Sequence, residues 1–600
     1  MNHEAIDFRC AAGASTIRGR NLRLRAPPSI ARLLAVLLLL AVHAIVLAAE
    51  PVAARSILDL QQSSQVTTVP IGVAGARGTA KLSNLNPRIN RWYVLALDWG
   101  GKGGAVYFHL ENPAPFHQTL LLDRDMPRGL LVRTDLDEFA CELWSARSAE
   151  QLEQARRSGL SYAPLCDGRF FLRNQSTGYR TTRELVTEFL RDRVWGGEKI
   201  IGIVKDRLAR DAHLESSSAR PTVAEIAESS RGPLPALMDA AQSGLRPLPA
   251  GLGIELDAPT RGGVAFGRWY AVKAAPGVYI SVMQPGLSAQ SLLAGYRDRV
   301  KPLDSVESGA IAYLAAFDLA DHRLGFEVGT DHPRVGWSER SLPPVRDSEL
   351  RGPDGFDSIA PLVATGIVNP LHVSRTLATF TGGFKRSHGA FRYGELSQKQ
   401  RGSHYGWVQN GVVFSSLQPG LATLLVRDNG KVEMLTWQAE DARTFAGIVH
   451  ARQNGVPIIE SRAASGDAVP GPLVGNWGAG NWSGSAEGEQ RTVRGGVCLQ
   501  DSEAGRFLIY GYFSSVTPSA MARVFQAYQC GYAMLLDMNA LEHTYLALYR
   551  VEDSAIRVQH LVKGMEEVDR TVRGVSVPRF IGYPDNRDFF YVLERQENEP

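Results

Sequence analysis

The chain has 600 residues, 44% of them hydrophobic and 21% charged, with a formal net charge of +3. That is an ordinary globular composition on a chain too long for a single core, so about two or three domains are expected. The positive excess is carried by Arg18, Arg20, Arg23, Arg25 and Arg32 near the N-terminus, and no basic stripe follows that could track a phosphate backbone, which excludes nucleic acid as a partner.

Residues 1–54 read as an export signal. An Arg-rich flank precedes an apolar run from Leu33 to Ala49, broken only by His43, and no acid occurs between Asp7 and Glu50. Small residues at Ala48, Ala49, Ala53 and Ala54 offer cleavage positions. A bilayer span usually takes about 20 apolar residues, so cleavage is favoured over a membrane anchor at 33–49. The expected location is periplasmic or extracellular. Cysteine usage agrees, because loss of Cys10 with the signal leaves Cys141, Cys166, Cys498 and Cys530. Pairing by proximity gives Cys141–Cys166 and Cys498–Cys530, each stabilising by about 3–4 kcal/mol through loop entropy; the alternative is four buried thiols. No Cys pair or Cys/His cluster has zinc spacing, so no metal is expected.

Residues 56–145 read as a small β-rich, sandwich-like accessory module. Arg91–Asp98, Ala105–Leu110 and Gly129–Thr134 are β-branched and aromatic runs separated by Gly, Pro and Asn. A helical and mixed extension over 146–213 follows, with helices expected over Ser148–Arg157 and Thr182–Arg193, the second started by Thr182 and presenting Leu185, Phe189 and Leu190 on one face. Residues 214–250, rich in Ser, Ala, Pro and Arg, read as a linker.

From 251 to 595 strand patterns recur at Arg268–Lys273, Gly277–Met283, Ile311–Asp318, Gly406–Phe414, Ala422–Arg427 and Lys431–Trp437, with one amphipathic segment at Ser291–Val300. Asp428-Asn429-Gly430 is a hairpin signal. Val516–Tyr528 reads as a helix capped by Thr517, with Pro518 at its first position and Met521, Val524, Phe525 and Tyr528 on its buried stripe. Strands with interposed helices predict an α+β domain built on a mixed sheet.

Several short motifs fall on this framework. Ala378-Thr379-Phe380 runs into Thr381-Gly382-Gly383-Phe384, where the glycines let backbone N–H groups approach a ligand, and Lys385, Arg386 and His388 follow at once. Arg491-Thr492-Val493-Arg494-Gly495 offers guanidinium forks suited to phosphate or carboxylate. Leu535-Leu536-Asp537 delivers a carboxylate to a strand end, with Glu542 and His543 shortly after. Pro472–Ser485 is a Gly-rich loop carrying Trp477 and Trp482, whose rings could stack on a sugar or fold back onto the core.

In order and spacing, the Thr381–Phe384 turn, the Arg491–Gly495 segment and Asp537 resemble the phosphodiester glycosidase family, over roughly residues 310–550. The resemblance implies a mixed-sheet domain that cleaves a glycosidic or sugar–phosphodiester bond. It implies Arg491, with Lys385 or the Thr381–Gly382–Gly383 turn, on the anionic part of the substrate, and Asp537, with Glu542, in proton transfer. The family carries Asn where this chain has Thr381, and continues past its Asp with glycines and Ser where this chain has Met538-Asn539-Ala540-Leu541. Bulky residues therefore stand where backbone would meet the sugar, and a catalytically silent carbohydrate-binding or envelope scaffold on the same fold is the rival reading. His543 reads equally as a substrate contact or a strand cap. No nucleophile-elbow, Walker, zincin or dinucleotide motif is present in a fitting context, so no cofactor is expected. The expected partner is a glycan or sugar-phosphate substrate; oligomeric state is left open.

Overall fold

The computed structural model describes residues 55–71, 78–100, 103–145, 148–182, 184–186, 232–239, 251–257, 263–331, 335–338, 341–386, 391, 394–399, 405–461, 467–476, 491–552 and 555–596. The expected export signal, most of the linker over 214–250, and Trp477 and Trp482 lie outside these residues. So do His388 and most of the helix expected over Thr182–Arg193.

Strands dominate the described residues, and every ladder among the strands is antiparallel. The α+β, mixed-sheet expectation is therefore corrected: this is a mostly β protein. Several successive strands are joined by tight turns, as at Val272–Ala275, Gln409–Val412 and Ser502–Gly505, and such turns return the chain antiparallel. The segment read as an amphipathic helix over Ser291–Val300 is a 3-10 run at Gln290–Tyr296. The expected single strand Gly406–Phe414 is a hairpin of Trp407–Gln409 and Val412–Ser415. Asn410 and Gly411 both take positive φ (51° and 74°), which splits the run with a turn of the type that Asn-Gly favours.

The N-terminal module contains a six-stranded sheet, with Gln65–Ile71, Gly78–Asn84, Trp92–Asp98, Val106–Glu111, Phe170–Arg173 and Tyr162–Leu165 in spatial order, and a three-stranded meander of Gln118–Leu121, Gly129–Thr134 and Glu138–Glu142. Leu95, Leu97, Phe108, Leu130 and Trp144 make its own core. Helix Glu150–Arg157 covers that core through Leu152, and Cys141 is bonded to Cys166.

The larger part is built on an eight-stranded sheet whose central strands are Ala312–Asp318, Gly505–Val516, Thr492–Ser502 and Tyr532–Met538. Tyr532–Met538 is buried along its whole length, so it has cover on both faces. Helix Pro518–Ala527 supplies part of that cover, with the Thr517 hydroxyl accepting from Ala520 N. A Cβ on Gly496 would lie 2.6 Å from Met521 Cε, so this strand has glycine where the helix presses closest. Cys498 is bonded to Cys530 just beyond the helix. Two five-stranded antiparallel sheets and the two-stranded hairpin of Arg570–Val572 and Val575–Val577 complete the unit; one five-stranded sheet contains Thr376–Thr381 between Phe589–Glu594 and Leu546–Glu552.

The two parts are joined by a buried polar seam. Arg173 of the N-terminal module has a fully buried side chain and bridges Glu111 of its own module and Glu327 of the larger part, the latter at 3.0 Å. Thr365 and Gln409 donate to Glu327, each at 2.6 Å, while Asn369 donates to Glu111 at 2.7 Å. These buried groups take their partners from both parts, so removing any one of them would leave another buried and unpaired.

Candidate active site

Two strand ends create the site. Tyr532–Met538 ends at Asp537-Met538, and Thr376–Thr381 ends at Thr381. The Thr381 hydroxyl donates to the His543 carbonyl at 2.7 Å, and Thr381 N donates to the Tyr545 carbonyl, so Thr381 closes the base of the site. Asn454 ties the turn to the other strand: its amide nitrogen donates to the carbonyls of Leu535 and Leu536, both at 2.8 Å, and its oxygen accepts from Phe384 N at 2.9 Å.

The two turn glycines have a packing reason. A Cβ on Gly382 would collide with the Asp588 carboxylate, and one on Gly383 would lie 2.7 Å from Asn454 Oδ1 and 2.9 Å from Arg452 Nη2. Asp588 and Arg452 form a fully buried ion pair at 2.6 Å. The turn therefore packs on protein charges, and its backbone polar groups have protein partners: Gly382 N donates to the Asp588 carbonyl and Phe384 N to Asn454, while the Phe384 carbonyl accepts from Arg452.

Asp537 is buried, with one carboxylate oxygen accepting from Met538 N at 2.8 Å and the other paired with Arg587. Burial pushes its carboxyl up to about 6, against the pull of Arg587, so it holds its proton well above the pH at which an ordinary Asp has lost it. Arg587 also reaches Glu184 at 3.2 Å and His543 at 2.6 Å. The His543 Nδ1–H donates to the Met538 carbonyl at 2.7 Å, which leaves Nε2 as the acceptor for Arg587. Burial and the adjacent guanidinium hold this imidazole neutral, well below the usual histidine range. Glu184 is the opposite case. Burial works against its charge, yet Arg587 and Lys385 hold its carboxyl well below the usual range.

Lys385 lies 3.8 Å from Glu184 and 3.6 Å from Asp331, and Asp331 pairs with Arg180. These contacts make a charged chain from Asp537 through Arg587, Glu184 and Lys385 to Asp331. It ends at a cavity of about 620 Å³ lined by Tyr179, Arg180, Thr330, Asp331, Arg570 and Tyr583, a volume in the range of small-ligand pockets. Arg570 lies over the Tyr179 ring, 5.6 Å from its centre.

Thus Thr381, Gly382, Gly383, Lys385, Asp537 and His543 fall in one region. Arg491 does not join them: it makes a surface ion pair with Asp304 and its side chain is 39% exposed. Its side chain meets Asp304, the cap of the short helix Ser305–Gly309, just before the strand Thr492–Ser502 begins. Arg494, three residues on, is buried. It donates from Nε to the Val516 carbonyl at 2.8 Å and from Nη1 to Met538 Sδ. Glu542 is buried too, but its carboxylate accepts from Thr181 at 3.4 Å rather than pairing with Asp537.

Glu184, Arg587, Asp588 and Arg452 were not anticipated. One signal was available: Asp585-Asn586-Arg587-Asp588 abuts the apolar strand Phe589–Glu594, a dense polar run entering a core strand. Glu184 carried none, since a Glu three residues after Thr181 reads as a capping-box residue. Thr181 does accept from Glu184 N at 3.1 Å, while the Glu184 carboxylate is turned to Arg587 and Asn586.

No protein-family model matches the chain, and no curated protein matches it. Among solved structures, it has a low-level likeness to the catalytic domain of zebrafish N-acetylglucosamine-1-phosphodiester alpha-N-acetylglucosaminidase, auto-inhibited by its pro-peptide. That match has 10% identity and a TM-score of 0.27, covering 54% of this chain and 85% of the other. A hypothetical protein from Synechocystis matches at 10% identity and a TM-score of 0.27, covering 88% and 98%. A protein described as exported, from Burkholderia pseudomallei, matches at 11% identity and a TM-score of 0.17, covering 48% and 74%. One of these neighbours is a glycosidase; at such scores the likeness bears on neither mechanism nor substrate. The two disulfides are consistent with an exported protein. Among the described residues, no helix is long and apolar enough to cross a membrane, and no cluster of three or more His, Cys, Asp or Glu residues could hold a metal ion.

Proposed function

We propose that this chain is an exported hydrolase that cleaves a glycosidic or sugar–phosphodiester bond in an envelope or extracellular glycan, with Asp537 as the proton carrier. The observation that carries this reading is a buried carboxyl with its proton affinity raised to about 6, sharing one guanidinium with a second carboxylate held ionised. Paired carboxyl groups of divergent proton affinity are the usual equipment for glycosidic cleavage, one delivering a proton while the other stays charged. The order of the Thr381–Phe384 and Asp537 motifs, which resembles that of phosphodiester glycosidases, agrees with it.

The test is release of reducing sugar from envelope polysaccharide and from synthetic sugar-1-phosphodiesters. Asp537→Asn should keep the fold and lower turnover at least ~100-fold, the lower end of what a positioned acid–base group contributes. A second reading, a catalytically silent glycan-binding or scaffold protein, is favoured by one observation: Asp537 sits four contacts from Asp331 in the cavity wall, with its carboxylate already paired. Glycan binding with no release by the wild-type protein would select that reading.

A further inference from the structure

Every member of the buried charge cluster around Asp537 comes from the larger part of the molecule except one. Lys385, Asp537, His543, Asn586 and Arg587 lie on or beside its sheets, whereas Glu184 arrives on the segment leaving the N-terminal module. Its Oε1 accepts from Asn586 Nδ2 at 3.0 Å and from Arg587 Nη2 at 3.2 Å, with Lys385 Nζ 3.8 Å away. Arg587 turns its other amino nitrogen, Nη1, to Asp537. One guanidinium is thus divided between two carboxylates delivered by different modules.

We propose that Glu184 is a positioning residue for Asp537: by occupying half of the Arg587 fork, it keeps that cation from ionising Asp537 outright and so preserves the proton that Asp537 carries. The inference rests on the hydrolase reading for its purpose, though not for its geometry. A buried carboxyl beside an undivided guanidinium is normally pulled well below its ordinary range. Here burial raises the Asp537 carboxyl to about 6, and the groups facing it decide how much of that rise survives. Arg587 and Met538 N favour its charge, and Arg452 does so weakly because Asp588 already neutralises it. Asp588 opposes the charge, and the buried Tyr510 hydroxyl, which donates to the Thr544 carbonyl, gives it no hydrogen bond. His543 is neutral and accepts from Arg587, so it adds no cation. Glu184 is then the group whose removal would return the full Arg587 charge to Asp537. The N-terminal module therefore contributes to the site itself and does more than flank it.

The experiment is titration of the Asp537 carboxyl in the full chain by carbon-detected NMR of Asp-labelled protein, with Asp537→Asn assigning the signal. Glu184→Gln should lower the titration midpoint from about 6 to about 5 or below, a loss of at least ~10-fold in proton affinity, since an opposite charge within reach shifts a carboxyl by 1–3 pH units. Glu184→Asp, whose carboxylate is one methylene further from Arg587, should produce a smaller fall in the same direction and substitutes should Glu184→Gln fail to fold. A purely structural Glu184 would lower stability and leave the midpoint in place, and an unchanged midpoint in a folded variant overturns the proposal. The two readings separate cleanly. A midpoint that moves in a protein releasing no sugar upholds the positioning role and removes the hydrolase; sugar release with an unmoved midpoint does the reverse.

Discussion

The seam between the two modules makes a prediction about acid and alkaline stability. Glu327 is buried against Arg173, Thr365 and Gln409, and burial raises its carboxyl to about 7 against the pull of Arg173, whose charge it shares with Glu111. Glu111, which also has Asn369 and a more distant Arg91, is instead held below its ordinary range despite burial. A carboxyl whose folded value lies above its ordinary 4.5 favours folding most in its protonated form. Its contribution is complete below pH 4.5, declines as pH rises to about 7, and stays lost above that. The difference corresponds to about 3 kcal/mol, from 1.36 kcal/mol for each pH unit. Glu327→Gln reproduces the protonated shape and has no charge to desolvate. It should therefore unfold at a higher denaturant concentration than wild type at pH 8, by an amount equivalent to about 1–3 kcal/mol, and nearly together with wild type at pH 5. Equilibrium unfolding in urea at both pH values checks this. An equal loss of stability at both would refute the reasoning, since it would mean that ionised Glu327 is a required partner of Arg173.

Asn454→Ala should cost about 2–3 kcal/mol, measured by chemical unfolding, because it orphans Phe384 N and the Leu535 and Leu536 carbonyls at once. Arg491→Ala should change stability by less than about 1 kcal/mol and leave any glycan affinity intact, as its partner Asp304 is half in solvent. Replacing Cys498 and Cys530 together by Ala should lower stability by about 3 kcal/mol, read from the same unfolding curves, with a larger loss wherever the vacated space beside helix Pro518–Ala527 does not close.

Local signals were legible along much of the chain. Thr517-Pro518 announced its helix, Asp428-Asn429-Gly430 its hairpin, and the apolar run ending at Asp537 its strand, because capping, turn chemistry and apolar patterning act over a few residues. Asp537 was found that way, as a carboxylate at the end of a core strand. The split of Gly406–Phe414 at Asn410-Gly411 was equally local; there the apolar residues on either side outweighed the turn pair between them.

What tertiary structure decided was the company each charged group keeps. Arg491 and Arg494 lie three residues apart in one motif, yet one pairs with Asp304 at the surface and the other is buried against Met538, a difference set by where strand pairing begins. Glu184 and Arg587 are 403 residues apart, and nothing local to either marks them as partners. Their meeting depends on the packing of the N-terminal module onto the larger part, and so does the proton affinity of Asp537. Desolvation and Coulomb interaction fall off with distance in space, while sequence patterns record distance along the chain.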